Sequence, residues 1–347
     1  MASTPKTQLP ESFRAAMNAE STTPLWDFLH SLVPIGRPTP QTKPTLWRFS
    51  AIRPLAMQAA ELVPIELAER RVLVLSDPGR GPEAMQATGM IYAGIQVLLP
   101  GERAPTHRHT PSAARIVIEG ESGYTVVNGE KCVMEKGDLI LTPHGQWHDH
   151  GHEGTSPVLW LDILDLPIFL AAEASYAEPG TPGCNGEDPL VRLGADLRVR
   201  GLDLPERYAR PRPYPKLRFP WTETRAGLER LAGLAEDDAP LELRYVNPET
   251  GGDCLPTLAF TATMLKPGRR YSLTPRSVGA VFHAVEGAGM ATVDGGRFDW
   301  QANDTFSTPP FAAIELDTSG SDAPAFLIRV DDEPLQRKLA FYSEGAR

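Results

Sequence analysis

The stretch "PGERAPTHRHTPSAARIVIEG", residues 100–120, places His107 and His109 directly before an apolar run that is typical of a β-strand. Six of the eight histidines in the chain lie between residues 107 and 152. Side chains alternate between the two faces of a strand, so the H-x-H pair directs both imidazoles to one face. A third imidazole from a distant strand, His148, could complete one face of a metal ion and leave other positions open for a substrate.

Short strand-like runs flank this stretch and are separated by Gly, Pro and Asn-Gly turn signals. After about residue 90 they include "MIYAGIQVLLPG", "GYTVVNGEK", "GDLILTPHG" and "VLWLDILDL". This pattern predicts a small antiparallel barrel or jelly roll. The preceding residues predict helices, in part of 11–35, in "IRPLAMQAAELV" and in "IELAERR", followed by a strand in "VLVLSD".

The short-strand pattern returns after about residue 241 as a second copy of the first. "LLPGERAPTHRHTPSAARIVIEGES" aligns with "LKPGRRYSLTPRSVGAVFHAVEGAG", and "GDLILTP" aligns with "NDTFSTP". The sequence therefore predicts an all-β core of two barrels in tandem. The alignment pairs His107 with Thr274, His109 with Arg276 and His148 with Ile314. Histidines that only packed the fold would not be missing from all three positions of the second copy. We therefore expect a site in the first barrel and a structural role for the second.

Composition and charge limit the class of function. A length of 347 residues suits two domains, and a net charge of -10 argues against nucleic acid as the main partner. No window approaches the roughly 18 apolar residues of a membrane span, and the first residues lack the apolar core of a signal peptide. The three cysteines, Cys132, Cys184 and Cys254, are widely spaced and are expected to be reduced thiols. We expect a cytoplasmic protein that binds neither nucleic acid nor membranes.

The histidine spacing resembles the two-part motif of the cupins, G-x5-H-x-H-x3,4-E-x6-G followed by G-x5-P-x-G-x2-H-x3-N. The matching residues are Gly101, His107, His109 and Gly120 in the first part, and Gly137, Pro143, Gly145 and His148 in the second. Nearly the whole chain resembles one group of two-barrel cupins, the gentisate 1,2-dioxygenase family, which includes salicylate and 1-hydroxy-2-naphthoate dioxygenases. The specific stretches are "PLWDFLHSLVP", "LWRF", "AERRVLVLSDPG", "TPHGQWHDHG", "LWLDILD" and "NPETGG".

This resemblance implies one Fe(II) per chain, held by His107, His109 and His148, with O2 as co-substrate. It also implies cleavage of a salicylate-type ring between the carboxyl-bearing and hydroxyl-bearing carbons, which would convert gentisate to maleylpyruvate. The partner would be a small aromatic hydroxy acid, and the assembly a homotetramer. A binder or isomerase without oxygen chemistry is the remaining alternative from another class.

The chain departs from the family pattern around the predicted ligands. The cupin Glu is replaced by Ala113 or Ala114, which leaves a divalent metal its full positive charge and favours an anionic, chelating substrate. The group commonly has "HRHTQSALRF" where this chain has "HRHTPSAARI", so Pro111, Ala114 and Ile116 differ. Smaller residues here could enlarge the pocket. Salicylate, a 5-halo or 5-nitro salicylate and 1-hydroxy-2-naphthoate therefore stay alternatives to gentisate.

Other side chains are candidates for binding or orienting a substrate. Arg115 has the strand parity of the H-x-H pair and could bind a carboxylate through its planar guanidinium. His150 has the parity of His148 and could donate a hydrogen bond or relay a proton. The resemblance places a glutamine near the substrate, here Gln96. Each of these three could instead be an ordinary surface or strand residue.

Two further residues are predicted to support the site, and two are excluded from it. Asp162 could orient His150, and Arg71 in "AERRVL" could help to hold a carboxylate. His144 and His152 are treated as non-ligands. The expected organisation is a helical arm with a first strand over 1–90, the metal-binding cupin over 91–170, an irregular proline-rich surface connector over 171–240, and a second cupin with a C-terminal segment over 241–347.

Overall fold

A computed structural model of the protein describes residues 8–36, 38–81, 83–208, 214–236 and 238–345. Backbone contacts separate a first unit, which ends at Gln41, from a second unit that begins at Thr42. The first unit contains helix α1 (Glu11–Ala19), a 3-10 turn at Leu25–Asp27 and the single-turn helix α2 (Leu29–Leu32).

The described part of the second unit contains the barrels, six α-helices and a 3-10 turn at Glu206–Tyr208. Its strands in the first half of the chain are β1 (Thr45–Trp47), β2 (Val72–Val74), β3 (Tyr92–Leu98), β4 (Arg103–His109), β5 (Ala113–Glu119), β6 (Gly123–Val127), β7 (Glu130–Val133), β8 (Leu139–Thr142), β9 (His148–His152) and β10 (Val158–Leu164). The later strands are β11 (Ala177–Pro179), β12 (Arg218–Phe219), β13 (Leu241–Arg244), β14 (Ala259–Leu265), β15 (Arg270–Leu273), β16 (Ala280–Glu286), β17 (Ala288–Val293), β18 (Gly296–Gln301), β19 (Thr305–Thr308), β20 (Ile314–Asp317) and β21 (Ala325–Asp331).

The helices of this unit are α3 (Phe49–Leu62), α4 (Ile65–Ala68), α5 (Leu166–Ala171), α6 (Pro189–Val199), α7 (Trp221–Ala232) and α8 (Glu333–Lys338). The two helices and the strand predicted between residues 52 and 77 correspond to α3, α4 and β2, and the predicted helix over 65–71 ends earlier than its pattern suggested. Among the described residues, no helix combines the length and the apolar character that crossing a membrane requires.

The first barrel is formed by two antiparallel sheets. One has the strand order β12-β8-β5-β10-β3-β2 and the other β11-β4-β9-β6-β7. The predicted Asn-Gly turn joins β6 to β7, and Asn128 and Gly129 both have positive φ, as a two-residue hairpin turn requires. Strands β5, β8 and β10 are almost completely buried, so their apolar runs pack on both faces. The H-x-H pair and His148 lie on β4 and β9 of the other sheet, so this packed sheet forms the opposite wall of the barrel.

The second barrel repeats this architecture. Its sheets have the orders β1-β19-β16-β21-β14-β13 and β15-β20-β17-β18, so the eight strands of the repeat are paired as in the first barrel. The predicted tandem repeat of a jelly roll is therefore confirmed. Sequence comparison detected the repeat only from about residue 90.

The repeat extends further towards the N-terminus than the sequence showed. A short strand that precedes each barrel in the sequence pairs with a sheet of the other barrel. Strand β1 pairs with β19 of the second barrel, whereas β12 pairs with β8 of the first. The helices that follow these strands begin against matching aspartates, because Phe49 N–H of α3 donates to Asp304 and Trp221 N–H of α7 donates to Asp138, both at 2.9 Å. In each barrel an aspartate thus caps the helix that follows the added edge strand of that barrel.

The expectation of an irregular connector over 171–240 is wrong for much of this segment. Helix α6 contains 11 residues and α7 contains 12, and β11 adds an edge strand to the first barrel beside β4. Proline begins these helices instead of preventing them, since Pro189 occupies the first turn of α6 and Pro220 precedes α7. Trp221 is buried, so this part of the segment is core and not surface.

A β-bulge distinguishes β4, which contains the H-x-H pair, from β15, the equivalent strand of the second barrel. The pairing of β4 with β9 shifts between Ala104 and His107, whereas β15 pairs with β20 without a shift. The alignment had placed Thr274 at the position of His107, but the strand register places Leu273 there, since it pairs with Ile314 as His107 pairs with His148. Bulges re-aim side chains and are common beside active sites.

Candidate metal centre

Three imidazoles from two adjacent strands converge inside the first barrel. His107 and His109 lie on β4 and His148 begins β9, directly opposite His107. One ring nitrogen of each lies within 4.8 Å of those of the other two, so the three could bind a single ion. The predicted triad is therefore brought together, and it is the one such group with metal-binding geometry among the residues that the structure describes.

Backbone carbonyls determine which nitrogen each imidazole offers. The Nδ1 atoms of His107, His109 and His148 lie 3.0, 2.7 and 2.9 Å from the carbonyl oxygens of Pro105, Pro111 and Gln146. A carbonyl can only accept, so each Nδ1 carries the proton and donates. Each Nε2 then keeps a free lone pair. The Nε2 of His148 is buried without a hydrogen-bond partner, as expected for a ligand atom.

The surroundings keep these imidazoles neutral. Burial, assisted by the charge of Arg70, lowers the pKa of His107 to about 3, and burial with the charge of Arg115 lowers the pKa of His109 to about 4. Burial lowers the pKa of His148 well below its usual value as well. Because a metal ligand must be unprotonated, the triad is prepared for metal binding at neutral pH.

Arg115 lies beside the triad and is held by three neighbours. Its Nη1 donates to Thr142 Oγ1, its Nη2 lies 3.1 Å from His150 Nε2, and its Nε lies 3.2 Å from Asp162 Oδ1. The side chains of Arg115, His150 and Asp162 are all buried. The ring of His150 lies 5.6 Å from that of His148, which brings this network next to the proposed ligands.

The position of Asp162 corrects one expectation. Asp162 lies opposite Arg115 on neighbouring strands and pairs with it, whereas the hydrogen-bond partners of His150 are Thr125 and Arg115. Cross-strand partners project to the same face, so the carboxylate meets the guanidinium first. The carboxylate of Asp162 thus offsets part of the positive charge of Arg115 and does not orient His150.

Gln96 faces the same side of this sheet. It lies opposite Trp160, two residues from Asp162, and is almost completely buried. Its side-chain Nε2 has no hydrogen-bond partner. An unpaired buried amide is costly, so this donor is available to a ligand.

Arg71, which was predicted to help hold a carboxylate, is bound by other groups, and its neighbour Arg70 lies near the triad. Both Nη atoms of Arg71 are occupied by the Ala60 carbonyl and by Glu102, so its guanidinium supports the fold. Arg70 is instead close enough to depress the pKa of His107, and its Nε has no hydrogen-bond partner. Tyr92 lies near the same group, where burial and the charge of Asp162 raise its pKa. Sequence reasoning missed Arg70 and Tyr92, although Tyr92 shares the strand parity of Gln96.

His144 and His152 are engaged elsewhere. His144 Nδ1 donates to the Thr110 carbonyl, and its ring stacks on Phe169. His152 Nε2 donates to the Ser156 carbonyl, while its Nδ1 accepts from Gly154 N–H at 3.0 Å. Both nitrogens of His152 are therefore used by the backbone.

Comparison with known proteins identifies the family. A family model described as "Cupin domain" matches residues 94–164. A gentisate 1,2-dioxygenase from Ralstonia sp is 45% identical to this chain, over 96% of the chain and 94% of the relative. The chain belongs to the gentisate 1,2-dioxygenase family. It is thus a member of a family of ring-cleaving oxidoreductases, as the motifs predicted.

Other members of the gentisate 1,2-dioxygenase family agree with this assignment over nearly the whole chain. A 5-aminosalicylate 1,2-dioxygenase from Comamonas sp is 33% identical over 97% of this chain and 92% of the relative. The crystal structure of the salicylate 1,2-dioxygenase from Pseudoaminobacter salicylatoxidans with gentisate superposes with a TM-score of 0.83. It is 31% identical and covers 99% of this chain and 96% of that one.

Two of the residues that differ from the common family pattern do not face the site. Ala114 and Ile116 flank Arg115 on β5 and therefore project to the opposite face, where both are part of the main hydrophobic core. The expectation that they enlarge the pocket is wrong. Pro111 does act at the site, because its carbonyl accepts from His109.

Proposed function

We propose that this protein is an Fe(II)-dependent dioxygenase that opens the ring of gentisate between its carboxyl-bearing and hydroxyl-bearing carbons to give maleylpyruvate. The observation that carries this proposal is the group of three neutral imidazoles with free Nε2 atoms beside a buried arginine. Fe(II) bound by His107, His109 and His148 would supply the one-electron chemistry that lets O2 react with an aromatic ring. Imidazole ligands suit iron, and three leave positions open.

The remaining site residues suit an anionic aromatic acid. Buried Arg115 and half-buried Arg70 bring two positive charges to the site. Asp162 pairs with Arg115, and the exposed Glu69 lies 4.0 Å from Arg70. Positive charge that neighbouring carboxylates offset only in part favours a bound anion. Arg115 would bind the substrate carboxylate, and Gln96 would donate to a ring or carboxylate oxygen through its unpaired amide. The burial of these groups excludes water and strengthens each interaction.

Gentisate is preferred over the other acids because the relative that is 45% identical to this chain is a gentisate 1,2-dioxygenase. Because Ala114 and Ile116 project away from Arg115, the sequence differences at these positions give no support for a larger pocket. Salicylate, 5-substituted salicylates and 1-hydroxy-2-naphthoate are therefore comparison substrates in the test. A cupin binder or isomerase is the outcome expected if no acid causes oxygen uptake.

Oxygen consumption by anaerobically Fe(II)-loaded protein tests the proposal. Gentisate should cause the fastest uptake, with maleylpyruvate as product, and salicylate, 5-aminosalicylate and 1-hydroxy-2-naphthoate should be slower. His109→Ala should reduce uptake by at least about 100-fold, because it removes a proposed ligand. His144→Ala is the matched control and should keep most of the activity. Iron binding without uptake with any acid would contradict the proposal.

Assembly and location are further parts of the proposal. The family resemblance supports a homotetramer in the cytoplasm. Cys132, Cys184 and Cys254 are all free thiols, and two of them are buried, which agrees with a reducing compartment.

A further inference from the structure

Thr125 contacts His150 at the ring nitrogen that faces away from Arg115. It lies directly opposite His150 on neighbouring strands, and its Oγ1 is 2.9 Å from His150 Nδ1. Thr125 and His150 are both completely buried.

The contacts of His150 determine where its ring proton lies. Its Nε2 faces Arg115 Nη2 at 3.1 Å. A guanidinium has donors only, so Nε2 must accept and cannot carry a proton. The proton of the neutral ring is therefore on Nδ1, which donates to Thr125 Oγ1. His150 thus accepts a hydrogen bond from Arg115, whereas the sequence had suggested that it donates one or relays a proton.

The threonine is therefore needed to keep the lone pair of His150 directed at Arg115. Without an acceptor at the position of Oγ1, the ring proton could move to Nε2 and would then face a cation. Arg115 would lose one of its three anchors, leaving Thr142 and Asp162. A guanidinium that binds a carboxylate through a planar fork depends on such orientation.

The second barrel supports a functional role over a structural one. Identical strand pairings, Thr125 with His150 and Ala291 with Leu316, identify equivalent positions in the two barrels. By the same criterion Phe282, opposite Arg329, corresponds to Arg115, opposite Asp162. Phe282, Ala291 and Leu316 are apolar and almost completely buried, so the fold does not require an arginine, a threonine and a histidine at these three positions. A threonine bound to a histidine that faces an arginine is therefore missing at these positions of the second barrel, where Arg329 instead pairs with Asp331 and Glu242.

We infer that Thr125 is a positioning residue for substrate binding. Its hydroxyl directs the Nε2 of His150 towards Arg115 and so holds the guanidinium in the orientation that receives the carboxylate of an aromatic hydroxy acid. This inference rests on the proposed function, because it assigns the carboxylate to Arg115.

Anaerobic calorimetric titration of the Fe(II)-loaded protein with gentisate tests the inference. Thr125→Val keeps the shape of the side chain and removes the hydroxyl, so the Kd for gentisate should rise by about 10-fold. Thr125→Ser restores the hydroxyl, and its Kd should stay within about 2-fold of the original. The iron content of both variants should be unchanged.

Thr305→Val provides a matched control in the second barrel. Thr305 is also buried, lies opposite a buried histidine, His283, and its Oγ1 is 3.0 Å from His283 Nδ1. This variant should lose a similar amount of thermal stability but bind gentisate normally. Unchanged gentisate affinity in Thr125→Val, failure of Thr125→Ser to restore it, or loss of iron from Thr125→Val would overturn the inference.

The binding experiment is independent of ring opening because it excludes O2. If the original protein binds gentisate but consumes no oxygen, the proposed function fails and the comparison of variants is still valid. If it turns over gentisate and all three threonine variants bind equally, the positioning role fails alone.

Discussion

At the residue scale, small features of the backbone determine the chemistry of the site. The H-x-H spacing predicts that His107 and His109 share a face, and the structure agrees. It does not predict that carbonyls at Pro105 and Pro111 accept from the two Nδ1 atoms. Those contacts depend on the bulge in β4 and on the turn after it, which no residue pattern encodes directly.

The choice between Arg70 and Arg71 shows another limit of sequence reasoning. Strand parity separates neighbouring side chains only within a regular strand, and β2 begins after both arginines. Glu69 has φ 53°, so the backbone turns sharply just before them. Only the folded backbone therefore determines which guanidinium reaches the site.

Substitution by glutamine should distinguish the two arginines. Arg70→Gln removes a charge from the site, and the KM for gentisate should rise by about 10-fold with stability within about 0.5 kcal/mol. Arg71→Gln breaks a buried ion pair with Glu102 and should cost about 3 kcal/mol of unfolding free energy. Oxygen-uptake kinetics and urea denaturation of each variant measure the two effects. A large loss of stability in Arg70→Gln, together with a raised KM in Arg71→Gln, would contradict the placement of Arg70 near the site.

At the element scale, the barrel strands were predictable and the exchanged elements were not. The core strands carry long apolar runs bounded by turn residues. Strand β1 has three residues and β12 has two, and both pair with strands distant in sequence. Such short segments lack periodicity, so their place in the fold depends on tertiary contacts, here the pairing with β19 and β8 and the ion pair of Arg218 with Asp138.

The capping aspartates give a prediction at this scale. Asp304→Ala should cost about 1–2 kcal/mol of unfolding free energy, because it leaves the first N–H of α3 unpaired. Asp138→Ala should cost more, because Asp138 also accepts from Arg218 at 2.7 Å. Asp299→Ala, at an exposed position of β18, is the control. Denaturation midpoints measure the order, and equal values for all three would refute the capping role.

At the scale of the whole molecule, the two barrels share a fold, and the one group among the described residues that could hold a metal ion lies in the first barrel. In the second barrel Arg276 occupies the corresponding region, where it pairs with Asp331, Glu333 and Tyr342. The cavity beside it measures about 40 Å³ and is lined largely by apolar side chains. Comparison of the two repeats shows that the second lacks all three histidines. That the second barrel binds no metal stays a prediction.

Metal analysis should therefore find one iron per chain. His148→Ala should reduce this value towards zero, because the second barrel offers Leu273, Arg276 and Ile314 near the equivalent positions. Inductively coupled plasma mass spectrometry of dialysed protein provides the measurement. A second equivalent of iron, or iron retained at one equivalent in His148→Ala, would contradict a single site in the first barrel.

The exchanged strands have a consequence for synthesis on the ribosome. Phe49 and its capping partner Asp304 are 255 residues apart, so the helix that follows β1 leaves the exit tunnel long before its cap exists. The first barrel must likewise wait for β12, which follows its own last strand by tens of residues. Neither half can finish folding alone during translation. The nascent chain therefore carries unpaired sheet edges until nearly the whole polypeptide has emerged. During that period we expect chaperones to bind these exposed edges.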